Sequence, residues 1–519
     1  MKKITLLIFI LIIISCNKNN NVDVAENFNF NTKIRETIDS TQISKFINKN
    51  KEFKSIERDI KLFYKDRDYK FAWFDEDDII EQAFQLNNKL HLTYKDNHLE
   101  NPPYFKDLQN IFDEEVNNKN ADYVDIMLTA QYIYYGNKYY QGDLSKKELK
   151  NINWLINRKK LNVSDYLSSK LDKELALFED EPIADDYLLL KKQLNILHTK
   201  GLDTVTALKF NEKSLKLGDS ATVISKVRNR LFLMGDLSKN NKSNTFDEEL
   251  QLGVKNFQKR HGLTQDGAIG QGFMQEFNVS GKERINQIII NLERYRWLPY
   301  YKNSEYLFVN IPEFKLHAYK GDSLQWSMDI IVGKSLHKTV IFNGSISYIV
   351  FSPYWNIPRG ILERKIIPAM NANENYLAQN NMEIIGYNGS LPIVRQKPGK
   401  NNSLGLVKFM FPNSHAIYLH DTPQKELFNE TSRTFSSGCV RVKNPQFLAK
   451  YLLKNQKEWT SESIKKAMNS GNEQRVDIQQ PMPVYLVYLT SFVDKQGKLN
   501  FRKDVYNRDK KLKNIILEL

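Results

Sequence analysis

The sequence predicts a multidomain α+β protein: a helical scaffold, a small three-helix module, and a mostly β domain carrying an insertion. Three observations carry this. Apolar residues recur at helical spacing from about Ile34 to Lys200. A compact unit punctuated by glycines runs over residues 214–279. From Tyr306 onward, short stretches alternate apolar and polar residues between Gly, Pro and Asn turns. The length of 519 residues accommodates about three such domains. A hydrophobic content of 41% with 12% aromatics excludes a disordered chain. Two cysteines exclude both a disulfide scaffold and a multi-thiolate metal site. The net charge of +14 permits anionic partners without choosing among them.

The chain opens with Lys2 and Lys3 before an apolar run from Ile4 to Ile14, then Ser15 and Cys16. Basic residues ahead of a short apolar core describe a secretory signal, residues 1–15, too short to span a bilayer comfortably. Ile13-Ile14-Ser15-Cys16 resembles a bacterial lipobox, which implies cleavage before Cys16 and lipid on its sulfur. Residues 16–33 are Asn-rich and read as a flexible tether. Lipidation of Cys16 would leave Cys439 as the one remaining thiol. An unpaired thiol in an oxidising compartment is a liability unless it does chemistry.

Residues 34–210 are expected to form the helical scaffold. Val124, Met127, Leu128, Gln131 and Tyr132 make one helical stripe, and Tyr187, Leu190, Leu194 and Leu197 another. Trp73 and Trp154 are expected in its core. In residues 214–279, Leu217-Gly218-Asp219-Ser220 reads as a turn and N-cap. Val223, Val227, Leu231 and Phe232 are expected to line one helix face, and a second helix begins near Asp247. A connecting helix, Ile285–Arg296, leads into residues 285–510. There, strands are expected at 306–310, 315–319, 326–332, 345–351, 415–419 and 484–490. Residues 359–412 begin helical at Ile361–Met370 and then turn polar and Gly/Pro-rich. They read as an insertion able to cover a site.

The chemistry concentrates in Tyr418 to Pro423 and Ser436 to Val442. A thiol is a weak nucleophile until a base or cation shifts it toward thiolate. His420 ends an expected strand, and Cys439 follows a Ser436-Ser437-Gly438 turn, so a returning loop can bring imidazole to sulfur. Gly438 permits close backbone approach, and the N–H groups of Cys439 and Gly438 could face a developing oxyanion. Arg441 could clasp a carboxylate. Tyr418, two residues before His420, would share its face of a strand. No metal-ligand spacing such as HExxH, no phosphate loop and no dinucleotide fingerprint is present. The lysines are dispersed among Asn and Glu, unlike a nucleic-acid-binding stripe.

His420, fifteen intervening residues and Ser436-Ser437-Gly438-Cys439 resemble the motif of the L,D-transpeptidases (YkuD fold). Further segments resemble the large periplasmic branch of that family, which carries a peptidoglycan-binding domain. They are Asn291 to Pro299, Ser352 to Pro358 with Trp355, Arg395 to Gly399, Leu404-Gly405 and Tyr418 to Pro423. Residues 214–279, with their LxxGD, FQxxHGL and DGxIG segments, resemble a peptidoglycan-binding domain. Many small members have Gly after the histidine where this chain has Asp421. The resemblance implies that a backbone carbonyl near that position orients the imidazole.

The resemblance implies a transferase without cofactor or metal. Cys439 would attack a tetrapeptide stem, expel D-Ala and pass the acyl group to a second stem as a 3→3 crosslink. His420 would act as base and acid. Ser437, Gly438, Tyr418, Arg441 and Trp355 would bind substrate or oxyanion. Hydrolysis by the same acyl-enzyme, as an L,D-carboxypeptidase or endopeptidase, is the alternative within enzymes, and a non-catalytic wall-binding lipoprotein the alternative outside them. The expected partners are peptidoglycan stems and a membrane reached through lipid, not nucleic acid. The expected location is the periplasm of a Gram-negative bacterium, anchored by preference to the outer membrane.

Overall fold

The computed structural model describes residues 36–516 apart from 76–77, 97–101, 114–119, 143, 157–160 and 300–303. The expected signal, tether and lipidated Cys16 lie outside the described residues. The chain divides into two compact units: residues 1–134 with 163–179, and residues 135–162 with 180–519.

In the first unit, helices Ser40–Lys49, Glu57–Asp66, Phe105–Asp113 and Val163–Leu171 bury apolar faces that include Ile43, Phe46, Ile60, Phe63, Leu108 and Leu167. The stripe Val124, Met127, Leu128, Gln131, Tyr132 is buried, and so is Trp73. Asp125 is buried as well. It accepts from Tyr64 Oη at 2.6 Å and from the N–H groups of Ala72 and Trp73 at 2.9 and 2.8 Å. Burial still pushes its carboxyl up to about 6.

The second unit takes in part of the expected 34–210 block, for a structural reason. Trp154–Leu155 forms a strand paired in parallel with Ile341–Phe342, and helix Asp185–Thr199 packs on helix Gly281–Arg296. Trp154 is buried edge-on to Trp297 at 5.0 Å. Within this unit residues 214–279 carry helices Thr222–Met234, Glu248–Arg260 and Gln271–Phe277 around a core of Val227, Leu231, Phe246, Leu250, Val254 and Phe257. Asp247 caps the second helix through the Leu250 N–H at 2.8 Å. The first helix departs from expectation. Its N-cap is Ala221, because Asp219 spends its carboxylate on the Lys216 N–H at 2.8 Å. Gln258 pins the 266–268 turn from both sides: it donates to Asp266 and the Ala268 carbonyl and accepts from the Gly267 N–H.

His261 stacks on Phe257 at 3.8 Å and bonds Glu276 at 3.0 Å. Burial, with Arg284 and Arg260 adding to it, holds the imidazole down at about 3. The folded state therefore resists protonation that the unfolded chain accepts near 6.5, so this site weakens the fold as pH falls from about 6.5 toward 3. His261→Gln should lose a few °C at pH 7.5 and a smaller amount at pH 4.5. Thermal melts at the two pH values measure this. An equal loss at both would contradict a buried neutral imidazole.

The main sheet of this unit runs Val407–Met410, Leu419–His420, Val440–Val442, Ser323–Gly333, Lys315–Lys320, Glu305–Asn310, Gln474–Val487, Ile341–Phe351. Val407–Met410 pairs with both Leu419–His420 and Ile341–Phe351, so the path closes on itself. Leu307, Val309, Leu316, Ile330, Val332, Ile349, Phe409, Leu419, Val440, Val484 and Leu486 are buried along these strands.

Three expectations are corrected. The 415–419 strand shrinks to Leu419–His420, because Asn413 Oδ1 accepts from the N–H groups of His415 and Ile417 and Ala416 has φ +52°. The 484–490 strand stops at Val487, where Asn310 and Asn291 side chains take the N–H groups of Leu489 and Thr490. The polar segment does not run to residue 412, since Val407–Met410 is a sheet strand.

The excursion between Phe351 and Val407 has its own structure. Helical turns Arg359–Ile361 and Ile367–Ala372 flank a π-helical stretch, Leu362–Ile366. A hairpin of Met382–Asn388 and Leu391–Gln396 adds Trp355–Asn356 as a third strand. Ile357, Leu362, Ile366 and Val394 form a small buried core there.

Candidate active site

The loop from His420 returns to the sheet through strand Thr434–Ser436, which pairs in parallel with Val332 and Gly333. Val440–Val442 then pairs in parallel with Leu419–His420, in the register Leu419 to Val440 and His420 to Arg441. The Val440 N–H donates to the Tyr418 carbonyl at 3.1 Å. That register sets Cys439 beside Tyr418 and one step from His420.

His420 is buried, and its Nδ1 lies 2.5 Å from the Asp421 carbonyl. A carbonyl only accepts, so Nδ1 carries the proton and Nε2 keeps its lone pair. Burial, helped by the Arg441 charge, holds the imidazole down at about 3 against the pull of the Asp421 and Leu404 carbonyls. The half-buried Cys439 thiol donates to the Ala416 carbonyl at 3.6 Å. Burial raises its pKa, opposed by Tyr418 and Arg441. The resting pair is thus neutral thiol and neutral imidazole. At rest the sulfur is turned to Ala416, and both groups are desolvated.

Tyr418 touches both partners. Its ring meets that of His420 edge-on at 5.7 Å, and its hydroxyl, with its pKa raised by burial and by Cys439, faces the sulfur. Arg441 donates to Gln424 Oε1 at 2.7 Å, while its buried Nε has no partner among the described residues. Ser437 is exposed on the turn. Gly438 has φ +122°, a conformation that favours glycine. Its N–H is taken by Ser436 Oγ at 3.1 Å, and that hydroxyl donates to the Cys439 carbonyl at 2.5 Å. Of the two N–H groups expected to face an oxyanion, that of Gly438 is therefore spent holding the turn. The Cys439 N–H makes no protein hydrogen bond among the described residues. Trp355 is not gathered in: it packs on the excursion's own core beside Ile357 and Leu362. Cys16 lies outside the described residues.

Sequence reasoning missed the support behind the turn. Thr339 Oγ1 donates to the Gly438 carbonyl at 2.8 Å and accepts from the Gly333 N–H at 2.9 Å. Tyr506 Oη donates to the Gly333 carbonyl at 2.5 Å. A Cβ on Gly333 would lie 2.0 Å from the His337 carbonyl oxygen and 3.1 Å from Gly438 Cα. Gly333→Ala should cost about 3 kcal/mol and disorder the nucleophile turn. Chemical denaturation checks the first effect, and the alkylation rate of Cys439 the second.

The YkuD family model, an L,D-transpeptidase catalytic domain, matches residues 304–466, which hold His420, Cys439 and the main-sheet strands from Glu305–Asn310 to Val440–Val442. Residues 304–466 are an L,D-transpeptidase catalytic domain. A second family model, a scaffold domain, matches residues 58–194. A Haemophilus influenzae protein assigned to the L,D-transpeptidases is 33% identical over 254 residues, 46% of this chain and 50% of that one. The chain thus spans about half the length of this curated relative. Among solved structures, an L,D-transpeptidase from Xylanimonas cellulosilytica is 12% identical over 54% of this chain and all of its own, with a TM-score of 0.18. One from Stackebrandtia nassauensis is 11% identical over 54% of this chain and 97% of its own, with a TM-score of 0.22. The L,D-transpeptidase domain begins after helix Gly281–Arg296, whose Asn291 and Arg294 side chains reach Thr490.

Proposed function

We propose that the chain is a peptidoglycan L,D-transpeptidase working through a thioester on Cys439. The observation that carries this reading is the parallel register of Leu419–His420 with Val440–Val442, which sets Cys439 one step from an imidazole whose Nδ1 carries the proton. As Cys439 Sγ attacks the carbonyl of the L-centre of meso-diaminopimelate, His420 Nε2 takes the thiol proton, and the Asp421 carbonyl supports the positive ring. The oxyanion rests on the Cys439 N–H. The C–N bond to D-Ala then breaks, and His420 returns the proton to the leaving amine. The side-chain amine of a second stem attacks the thioester, gives up a proton to His420 and releases the thiol with a 3→3 crosslink. The partly unpaired Arg441 guanidinium suits a stem carboxylate. Because both resting groups are neutral, their ion pair forms only while the bond to substrate forms. The deciding experiment is mass spectrometry of the protein with a tetrapeptide donor. An acyl adduct on Cys439 that passes to an added stem amine supports the reading; an adduct released only to water would make the enzyme a carboxypeptidase.

The same proposal places the protein in the periplasm of a Gram-negative bacterium, held by lipid on Cys16 to the outer membrane and with residues 214–279 on the wall. Sorting rests on Asn17, since an acidic residue directly after the lipidated cysteine is the common retention cue for the inner membrane. No described helix is long and apolar enough to cross a membrane. Cys16→Ala should therefore shift the protein from the membrane to the soluble fraction. Fractionation checks this; retention in the membrane would disprove lipid as the anchor, or show that the signal is not cleaved, and the mass of the retained protein separates the two.

A further inference from the structure

We propose that Asp421 is a positioning residue that locks the imidazole of His420 to the return limb of the excursion, so that the excursion's placement sets the general base. This rests on the reading of His420 and Cys439 as the reacting pair.

Asp421 binds in two directions. Its carbonyl accepts from His420 Nδ1 at 2.5 Å. Its carboxylate accepts from the Leu406 N–H at 2.9 Å, the Thr422 N–H at 2.7 Å and Lys425 Nζ at 2.5 Å. Its own N–H donates to the Val407 carbonyl at 2.9 Å. The residue is 4% exposed, so these bonds are shielded from water. Gly405 interlocks with it: at φ +62°, a Cβ there would lie 2.4 Å from the Asp421 carboxylate. The Leu404 carbonyl reaches the imidazole as well. Leu404 therefore reaches His420, and Gly405 and Leu406 hold the residue that orients it.

The limb is tied in turn to the body of the excursion. Asn402 donates to the carbonyls of Pro353 at 3.1 Å and Lys397 at 2.9 Å, and accepts from the Leu404 N–H at 2.8 Å. The Gly405 N–H donates to the Asn402 carbonyl, and the Ser352 N–H to the Leu406 carbonyl. A hydrogen-bonded path thus runs from both ends of the excursion through Asn402 and Asp421 to Nδ1. A displacement of the excursion moves the carbonyl that fixes the ring. A glycine after the histidine could supply that carbonyl but has no side chain to grip the limb.

The test is a double-mutant cycle read by two reactions of Cys439. Asp421→Ala, Asn402→Ala and His420→Ala are made singly, and each of the first two is paired with His420→Ala. Alkylation by iodoacetamide across pH 6–10 reports the imidazole's help to sulfur. Acylation by a tetrapeptide donor reports kcat and KM. Asp421→Ala is expected to slow both reactions about tenfold or more at pH 7, with KM within about twofold, and the defect should shrink as pH rises. Asn402→Ala should show the same pattern more weakly. In the His420→Ala background neither should cost more than about twofold. An equal loss with and without His420 would overturn the coupling, as would wild-type rates in a folded Asp421→Ala. Should Asp421→Ala fail to fold, Asn402→Ala, outside the reacting groups, carries the same comparison. A wild-type protein that is alkylated normally but never acylated would refute the transpeptidase reading and leave the coupling to be decided by the alkylation cycle.

Discussion

Cys439→Ala is expected to abolish transfer and acyl-adduct formation, a loss of at least about a thousandfold, while leaving the melting temperature within a few °C. The nucleophile has no equivalent: among the described residues Cys439 is the one free cysteine, and the hydroxyls that support its turn are committed. Ser436 Oγ bridges the Gly438 N–H and the Cys439 carbonyl, and Thr339 Oγ1 bridges Gly333 and Gly438. Little packing is lost, since the thiol is half-buried and its hydrogen bond to Ala416 is long. Muropeptide analysis of sacculi incubated with the variant is the measurement. Crosslinks formed at the wild-type rate would end the mechanism.

His420→Ala is expected to slow acylation by at least about a thousandfold at pH 7, and the defect should narrow only well above pH 9. The direction follows from the two groups. Burial raises the thiol pKa, so very little thiolate exists at neutral pH and a base must remove the proton during attack. Burial holds the imidazole down at about 3, so it is unprotonated and competent as a base throughout the neutral range. The wild-type rate should therefore show no fall between pH 8 and pH 5 from protonation of His420. A profile that drops with a midpoint near 6.5 would place His420 in water. A defect independent of pH would make its role structural.

The reacting pair was legible because its signal is local: a lone cysteine after Ser-Ser-Gly, and a histidine a loop's length before it. Tyr418 and His420 meet ring to ring, although the strand expected to align them begins only at Leu419. What stayed hidden depends on bonds between segments far apart in sequence. Nothing near Gly438 says that its N–H belongs to Ser436, and nothing near Ala416 says that its carbonyl takes the thiol proton. Trp355 is expected at the substrate only through the family resemblance; its strand pairs with Gln396, and its ring packs on a separate core. Val407–Met410 was read as part of a polar insertion because it is short and lies between Gly405 and Pro412. Its apolar residues, Val407 and Phe409, acquire a face only when strands from both sides arrive.

Closing the sheet through Val407–Met410 has a consequence for how this chain can fold and vary. The strand before the excursion and the one after it are direct neighbours, so the ring cannot shut until everything between them has returned. For a floppy segment that return would carry a loop-closure entropy, though one that grows by only about 0.6 kcal/mol per doubling of length. Here the segment brings its own ends together: Trp355 pairs with Gln396, and the Ser352 N–H meets the Leu406 carbonyl at 2.9 Å. A module that closes its own neck can be lengthened, trimmed or exchanged while the barrel beneath keeps its register. Diversity of substrate can then accumulate at one seam without renegotiating the fold.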